Sequence, residues 1–228
     1  MGPGDIAVLT VYIDLKSPYA FVALKPTLAL EAELGAAFDW RPLTLDIPSF
    51  LGSAEKRQGQ VVRSEGRSPN TWRFIHYAYM DARRYAQRQG LILKGTEKIW
   101  DSSLAGIALL WVNLHARHRL AHYLVSVFTP FWQRELNIED IAVLEACLQS
   151  AGVPHEGFRD FVEGPGRVQH DALMTQARDD GIFGVPTYVL DDQLYFGREH
   201  LPYLRWRLTG QRGPAPDIAY DPDGNVPC

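Results

Sequence analysis

The 228-residue sequence predicts an α/β fold in which a strand–helix–strand unit and a terminal β-hairpin are separated by a large all-helical insertion. Three observations predict this fold. A strand-like pattern over residues 8–13 ends in Asp14 and leads directly into a helical pattern. Helical periodicity then dominates residues 48–180, where no segment has a convincing strand pattern. Two short strand patterns return afterwards, around a tight turn at 191–193.

The first unit consists of a strand, a helix and a second strand. Residues 8–13 are rich in β-branched and aromatic side chains, and residues 19–34 place apolar side chains at roughly helical spacing. Gly35 is predicted to end this helix, and Pro26 inside it is predicted to kink it. A second strand is predicted over 38–45, which makes a βαβ unit with a right-handed crossover.

The middle of the chain is predicted to be helical after an initial loop. The segment 52–69 is polar and contains glycine, and we predict it as that loop. A long helix rich in aromatic residues is predicted to follow it. The predicted helices cover 70–89, 102–121, 122–134, 138–151, 156–161 and 167–180.

The C-terminal part completes the α/β fold. Strands are predicted over 187–191 and 194–196, followed by a helix over 199–208. Residues 210–228 are rich in Gly, Pro and Asp without periodicity, so we predict a loosely attached tail.

Composition argues against several classes of protein. Apolar content of 46% and charged content of 22% are typical of a soluble globular chain. A net charge of −4 gives no reason to expect a nucleic acid or an anionic membrane as partner. No apolar run has the length of a membrane span, and the N-terminus lacks the pattern of a signal peptide. We therefore expect a cytoplasmic protein.

Cysteine and histidine usage predicts neither a redox dithiol nor a metal site. Cys147 lies in an apolar helical pattern and is predicted to be a small core residue, whereas Cys228 is terminal and incidental. Disulfide exchange is thereby nearly excluded. His115, His118 and His122 could share a helix face, but arginines surround them and no carboxylate completes a ligand set.

The turn before the first predicted helix holds the main catalytic candidate. Ser17 is predicted at the N-cap and Pro18 in the first turn, where free N–H groups and the helix dipole favour an anion such as a thiolate. If a hydrogen bond and the dipole each contribute ~1 kcal/mol, the pKa of a bound thiol falls by about one unit or more. The alternative is an ordinary N-cap without catalytic function. No Gly-x-Ser-x-Gly motif supports a hydrolase.

A second motif, Gly184-Val185-Pro186-Thr187, precedes the strand predicted at 187–191. Proline is unusual at this position because it lacks the N–H group that a strand needs. A cis Val185–Pro186 bond beside the Ser17 turn would explain it. The backbone of Val185 could then pair with an extended peptide, and a purely structural turn is the alternative.

Together, the Ser17-Pro18-Tyr19 turn and the Gly184–Thr187 loop resemble the thioredoxin fold, in which a strand–turn–helix active site faces a cis-proline loop. Serine in place of Cys-x-x-Cys resembles the DsbA-like branch that holds the kappa-class glutathione transferases and the 2-hydroxychromene-2-carboxylate isomerases. The resemblance extends over about residues 8–208. It implies a thioredoxin-like domain at 1–47 and 181–210, a helical insertion domain at 48–180 and a tail at 211–228.

The resemblance implies glutathione as cofactor. Ser17 would stabilise the thiolate, and Val185 and Pro186 would bind the cysteinyl unit. Arg198 and Glu199 stand where relatives hold the γ-glutamyl end with a small polar residue and an Asp. Glu199 can pair with an ammonium group and Arg198 with a carboxylate. A charge pair at a helix start is the alternative.

Weaker candidates would line the site of the second substrate. Lys16 would add a positive charge near the sulfur, or else be solvated. Most aromatic residues of the insertion are expected in the core, and some of them in a pocket for a flat aromatic substrate. The candidates are Lys16, Tyr19, Trp72, Tyr79, Arg84 and Trp100, with Lys56, Arg57 and Asn70 as weaker cofactor contacts.

The resemblance therefore implies a glutathione-dependent isomerase of the 2-hydroxychromene-2-carboxylate isomerase type. The Ser17-stabilised thiolate would add reversibly to a small aromatic substrate from the breakdown of polycyclic aromatic compounds. A kappa-like glutathione transferase and a non-catalytic thioredoxin-fold binding protein are the alternatives. The resemblance also implies a homodimer.

Overall fold

The computed structural model describes residues 9–57 and 60–217. Over these two ranges, two short 3-10 helices, Arg117–Arg119 and Arg198–His200, accompany the main elements. In chain order those elements are β1 (Thr10–Ile13), α1 (Pro18–Leu34), β2 (Asp39–Pro42), α2 (Ile47–Leu51), β3 (Ser53–Arg57), β4 (Gln60–Glu65), α3 (Pro69–Arg88), α4 (Ser103–His115), α5 (Leu120–Trp132), α6 (Ile141–Ser150), α7 (Phe158–Glu163), α8 (Pro165–Asp179), β5 (Thr187–Leu190), β6 (Gln193–Phe196) and α9 (Leu201–Leu208).

Within the described residues, the central sheet has four strands in the order β2-β1-β5-β6. Strand β1 runs parallel to β2 and antiparallel to β5, and β5 and β6 form an antiparallel hairpin. Its turn consists of Asp191 and Asp192, which both have positive φ (49° and 59°), as a two-residue hairpin turn requires. The sheet and the helix-rich insertion confirm the predicted fold class. The predicted start of β1 at Val8 lies outside the described residues.

Helix α1 connects the sheet to the insertion. Ser17 caps its N-terminus, and Gly35, with φ 61°, ends it in the left-handed conformation that suits glycine. The helix continues through Pro26. On its buried face the Phe21 ring stacks against Phe128 and Trp132 of α5, with centroids 5.7 and 6.1 Å apart. The insertion therefore shares one hydrophobic core with the sheet.

The segment predicted as a loop at 52–69 instead contains the two-stranded hairpin β3–β4, so the prediction of an all-helical insertion was wrong in this part. Strand β4 is exposed along its whole length. Because neither of its faces packs into the core, its sequence lacks the apolar alternation that indicates a strand. Gly52 and Gly66 meet at the base of the hairpin, where a Cβ on Gly52 would collide with the Glu65 carbonyl oxygen.

The helix predicted over 102–121 is interrupted. Helix α4 ends at His115, a 3-10 turn follows, and α5 begins at Leu120. The break occurs at Ala116, whose φ of −156° is not helical. No glycine or proline marks this position, so residue types alone do not predict a break in the helix there. None of the helices in the described part of the chain has the length and apolar composition of a membrane span.

A buried histidine links α8 to the end of β2. The imidazole of His170 is within hydrogen-bond distance of the Thr44 hydroxyl (2.9 Å) and of the Asp171 carboxylate (3.1 Å). Burial lowers the pKa of His170, against the opposing effect of Asp171. The folded state therefore binds fewer protons at this residue than the unfolded chain does in mildly acidic solution.

We expect the stability conferred by neutral His170 to be complete above the unfolded pKa of about 6.5 and to decrease as the pH falls below it. Replacing His170 by Gln should therefore flatten the dependence of unfolding free energy on pH between about 7.5 and about 5.5. Urea denaturation of the wild type and the variant at both pH values measures this dependence. Equal slopes in the wild type and the variant would contradict the assignment.

Candidate active site

A cavity of about 810 Å³ lies between the sheet and the insertion. Its walls come from the start of α1, the loop before β5, the turn after β6, helix α3 and the segment 95–100. The volume is in the range of cavities that hold small molecules. Of the predicted site residues, the cavity wall includes Lys16, Ser17, Tyr19, Lys56, Trp72, Tyr79, Trp100, Val185, Pro186, Arg198 and Glu199.

Ser17 is held at the cavity wall as the N-cap of α1. Its backbone N–H donates to the carbonyl of Asp14 (2.9 Å), and its Oγ accepts from the N–H of Ala20 (3.3 Å). Among the described residues nothing accepts the Ser17 hydroxyl hydrogen, and the N–H of Tyr19 has no acceptor either. The turn thus offers two hydrogen-bond donors at the positive end of a helix dipole.

A buried ion pair between Asp14 and Lys16 stabilises this turn. The Asp14 side chain is 0% exposed and accepts from the backbone N–H groups of Lys16 (3.0 Å) and Leu45 (2.8 Å). The Lys16 ammonium lies 3.5 Å from the same carboxylate, and its side chain is only 7% exposed. Lys16 is therefore not a solvated lysine. Sequence analysis did not identify Asp14 as a site residue. The sequence does show an aspartate at the end of the first strand, two residues before Lys16.

The loop before β5 lines the cavity and contains a residue with unpaired backbone groups. Val185 is buried, and neither its N–H nor its C=O bonds to another described residue. Neighbouring groups are satisfied, because Thr187 donates to the Gly184 carbonyl (2.7 Å) and Gly197 N–H to the Pro186 carbonyl (2.9 Å). The Val185–Pro186 bond is cis. An extended ligand could pair with the free groups of Val185.

Arg198 and Glu199 follow β6 and face the same cavity. The Arg198 guanidinium lies over the Tyr85 ring, 4.1 Å from its centroid, and its buried Nε has no hydrogen-bond partner in the described chain. Glu199 is exposed, and its carboxylate lies against Gly197, where a Cβ would collide with it. An unpaired buried N–H is costly, so a ligand acceptor is favoured beside Arg198.

Tyr19 meets a carboxylate that sequence analysis did not identify as functional. Its hydroxyl donates to Oδ2 of Asp81 on α3 (3.1 Å). Burial, and then the hydrogen bond to Asp81, raise the pKa of Tyr19. Arg84 lies 3.8 Å from the other Asp81 oxygen but does not line the cavity, so the structure does not place it as a substrate contact.

The insertion side of the cavity combines aromatic rings with cations. Tyr79 bonds Thr96 (3.2 Å between hydroxyls) and packs edge-on against Trp132, so it belongs both to the wall and to the core. The guanidinium of Arg67 lies 4.7 Å from the Trp72 ring centroid. Two predicted contacts do not reach the wall: Arg57 pairs with Glu55, and Asn70 accepts from Arg73.

Exposed aromatic rings surround the cavity, a feature that sequence analysis missed. They are 42–68% exposed, and two of them, Phe183 and Phe196, are in contact with centroids 4.8 Å apart. The sequence alone does not show that these aromatic residues lie around one cavity, because they come from four separate segments. The rim consists of Phe50, Phe74, Tyr77, Phe183 and Phe196.

The cysteine that the structure describes does not line the cavity. Cys147 is buried in α6, as predicted, and burial raises the pKa of its thiol. Cys228 lies outside the described residues. Over residues 9–57 and 60–217, no group of three or more His, Cys, Asp or Glu side chains is arranged to hold a metal ion.

The chain belongs to the family of DsbA-like thioredoxin domains, whose model matches residues 8–209. It is 24% identical over 199 residues to the 2-hydroxychromene-2-carboxylate isomerase of Sphingobium xenophagum, covering 85% of this chain and 93% of the relative. A solved 2-hydroxychromene-2-carboxylate isomerase superposes with a TM-score of 0.68 at 19% identity, covering 89% of this chain and 94% of that structure. The predicted family is confirmed, and the relative's name supports an enzyme.

The same fold also occurs in proteins named for disulfide chemistry. A putative protein disulfide isomerase from Nitrosomonas europaea gives a TM-score of 0.67 at 14% identity, covering 92% of this chain and all of that structure. At such identities the likeness shows the fold alone. Function must therefore be inferred from the residues of the cavity.

Proposed function

We propose that the protein is a glutathione-dependent isomerase acting on a small aromatic compound, as the name of its relative suggests. One observation carries the proposal. Ser17, with an unused hydroxyl donor, and Val185, with unpaired backbone groups, line the same cavity. A thiol-bearing peptide needs both features, one for its sulfur and one for its backbone.

The residues present fit glutathione. Val185 would pair with the cysteinyl backbone, and Ser17 O–H and Tyr19 N–H would donate to the sulfur. The unpaired Nε of Arg198 would bind the γ-glutamyl carboxylate, and Glu199 its ammonium group. When bound, glutathione would supply a thiolate nucleophile for reversible addition to a conjugated substrate. These side chains would hold and ionise the thiol.

The remainder of the cavity suits an anionic aromatic substrate. Lys56, Arg67 and Arg83 line it, and none forms an ion pair within the described chain. Burial lowers the pKa of Arg67, so this guanidinium would gain from a carboxylate ligand. Flat rings and an apolar rim complement an aromatic body. The carboxylate in the relative's named substrate has this chemistry.

Disulfide exchange does not suit this cavity. The turn carries Ser17 and Pro18 where such enzymes need a thiolate, and Cys147 in α6 does not line the cavity. A kappa-like transferase would use the same cofactor residues and differ only in its product. A non-catalytic binding protein would bind a ligand here without turnover. Assembly as a homodimer stays a prediction.

Calorimetric titration with glutathione, followed by ultraviolet titration of the thiolate, tests the proposal. We expect binding and a thiol pKa at least about one unit below that of free glutathione. S-methylglutathione is the control, because it should bind without a thiolate absorbance. Failure of the wild type to bind millimolar glutathione would overturn the isomerase and the transferase together. With 2-hydroxychromene-2-carboxylate, an isomerised product and regenerated glutathione indicate the isomerase, and a stable conjugate indicates the transferase.

A further inference from the structure

Tyr19 and Asp81 bring a hydroxyl and a carboxylate together in the cavity from two distant parts of the chain. Tyr19 lies on α1 two residues after Ser17, and Asp81 lies near the middle of α3. The Tyr19 hydroxyl donates to Asp81 Oδ2 at 3.1 Å, and both residues line the cavity. The Asp81 side chain is 20% exposed. This pair therefore stands beside the turn that carries the proposed cofactor donor.

The surroundings of Tyr19 and Asp81 favour the proton on the Tyr19 oxygen. Burial, and then the hydrogen bond to Asp81, raise the pKa of Tyr19, so its phenol keeps its proton and Asp81 is the acceptor. Tyr77 and Tyr85 lie one turn before and one turn after Asp81 along α3, and Arg84 approaches its other oxygen. A phenol that gives its hydrogen to a carboxylate keeps its oxygen lone pairs for another donor.

Other carboxylates at the cavity are engaged differently. Glu97 pairs with Arg134 at 3.3 Å, and Glu199 is exposed against Gly197. His76 also lines the cavity but is exposed. Among the described residues of the cavity wall, Asp81 is the carboxylate that bonds a cavity hydroxyl.

We propose that Tyr19 and Asp81 form a proton-transfer pair that recognises a hydroxyl group on the aromatic ligand. The ligand O–H bond breaks as its proton passes to the Tyr19 oxygen, while the Tyr19 proton passes to Asp81 Oδ2. The reverse transfer restores both groups, so the pair gains and loses no proton over a cycle and needs no oxidant or reductant. Because an isomerisation leaves the number of protons on the ligand unchanged, a proton taken from the ligand must be returned to it. The catalytic use of the pair rests on the proposed function.

Binding of two probes tests the recognition without turnover. Calorimetry compares 2-hydroxycinnamate with 2-methoxycinnamate, which cannot donate a hydrogen bond. We expect the wild type to prefer the hydroxyl compound about tenfold or more, as a hydrogen bond to a charge-coupled acceptor implies. Tyr19→Phe should abolish the preference, and Asp81→Asn should reduce it. A wild type that shows no preference or binds neither probe, or a Tyr19→Phe variant that keeps the preference, would overturn the proposal.

A matched control separates this role from a structural contact between α1 and α3. Gln89, the C-cap residue of α3, donates to the Val22 carbonyl of α1 at 2.8 Å but does not line the cavity. Gln89→Met removes a comparable contact, so it should lower stability and keep the hydroxyl preference. Equal loss of preference in Gln89→Met would show that the contact is merely structural.

The glutathione titration, repeated on the same variants, distinguishes failure of this inference from failure of the proposed function. Tyr19→Phe should bind glutathione with the wild-type thiol pKa, because the thiolate donors remain. If the isomerase activity is present, its turnover in Tyr19→Phe should fall about 10²-fold or more at similar KM. If glutathione does not bind but the hydroxyl preference holds, the proposed function fails and the recognition stands.

Discussion

Replacement of Ser17 by alanine is expected to raise the pKa of the glutathione thiol in the complex by about one to two units. The wild-type hydroxyl has no other acceptor among the described residues, so alanine removes a hydrogen bond worth about 1.5–3 kcal/mol to a charged group. At neutral pH the thiolate fraction, and with it the turnover, should fall roughly tenfold to hundredfold. Ultraviolet titration of the complex and steady-state kinetics measure the two effects.

The chain provides a closely matched control for this substitution. Ser68 and Pro69 begin α3 as Ser17 and Pro18 begin α1, and the Ser68 Oγ accepts from the Thr71 N–H at 3.1 Å. Ser68 does not line the cavity. Ser68→Ala should cost about 1 kcal/mol of stability, as loss of a cap does, and leave the thiol pKa unchanged. If Ser17→Ala behaves in the same way, Ser17 is only a cap.

These two Ser-Pro pairs show what local sequence can predict about the site. A Ser-Pro pair is typical of a capped helix start, and both helices begin at such a pair. Local pattern cannot tell which of them faces a ligand, because that depends on a loop at Val185 that is distant in sequence. Only the resemblance, which uses both motifs together, selected Ser17. The structure brings Ser17 and Val185 to one cavity.

The fold was predictable where local pattern and burial agree. Helix α1 and the β5–β6 hairpin have apolar periodicity and recognisable end residues, and their bounds agree closely with the prediction. The β3–β4 hairpin has neither, because it is paired through its backbone while its side chains remain largely exposed. Its existence therefore depends on backbone pairing that leaves little trace in the residue types.

Besides the aromatic rim, the missed site residues include two carboxylates whose function depends on distant contacts. Asp14 is buried because the Leu45 N–H reaches it from a point 31 residues later, and Asp81 accepts from Tyr19, 62 residues earlier. An aspartate in an isolated helix or turn is most simply a solvated charge. Its chemistry changes only when tertiary structure removes water and supplies donors.

Replacement of Asp14 by asparagine is expected to lower the unfolding free energy by about 3 kcal/mol or more, because it leaves a buried ammonium without its counter-charge. The carboxylate serves three donors: two backbone N–H groups and the Lys16 side chain. An amide has only one acceptor oxygen, so its NH₂ group would face a donor. Urea denaturation measures the loss, and glutathione affinity should fall with it because this turn positions Ser17.

Asp39 and Arg41 provide the comparison that isolates burial. They form an ion pair at the same spacing along the neighbouring strand, at 2.7 Å, but both side chains are at least one-third exposed. Asp39→Asn should therefore cost no more than about 1 kcal/mol. Lys16→Met should cost less than Asp14→Asn, because Asp14 would keep its two backbone donors. Equal losses of unfolding free energy in Asp14→Asn and Asp39→Asn would mean that water reaches the Asp14–Lys16 pair. The pair would then be an ordinary surface contact and would not support the Ser17 turn.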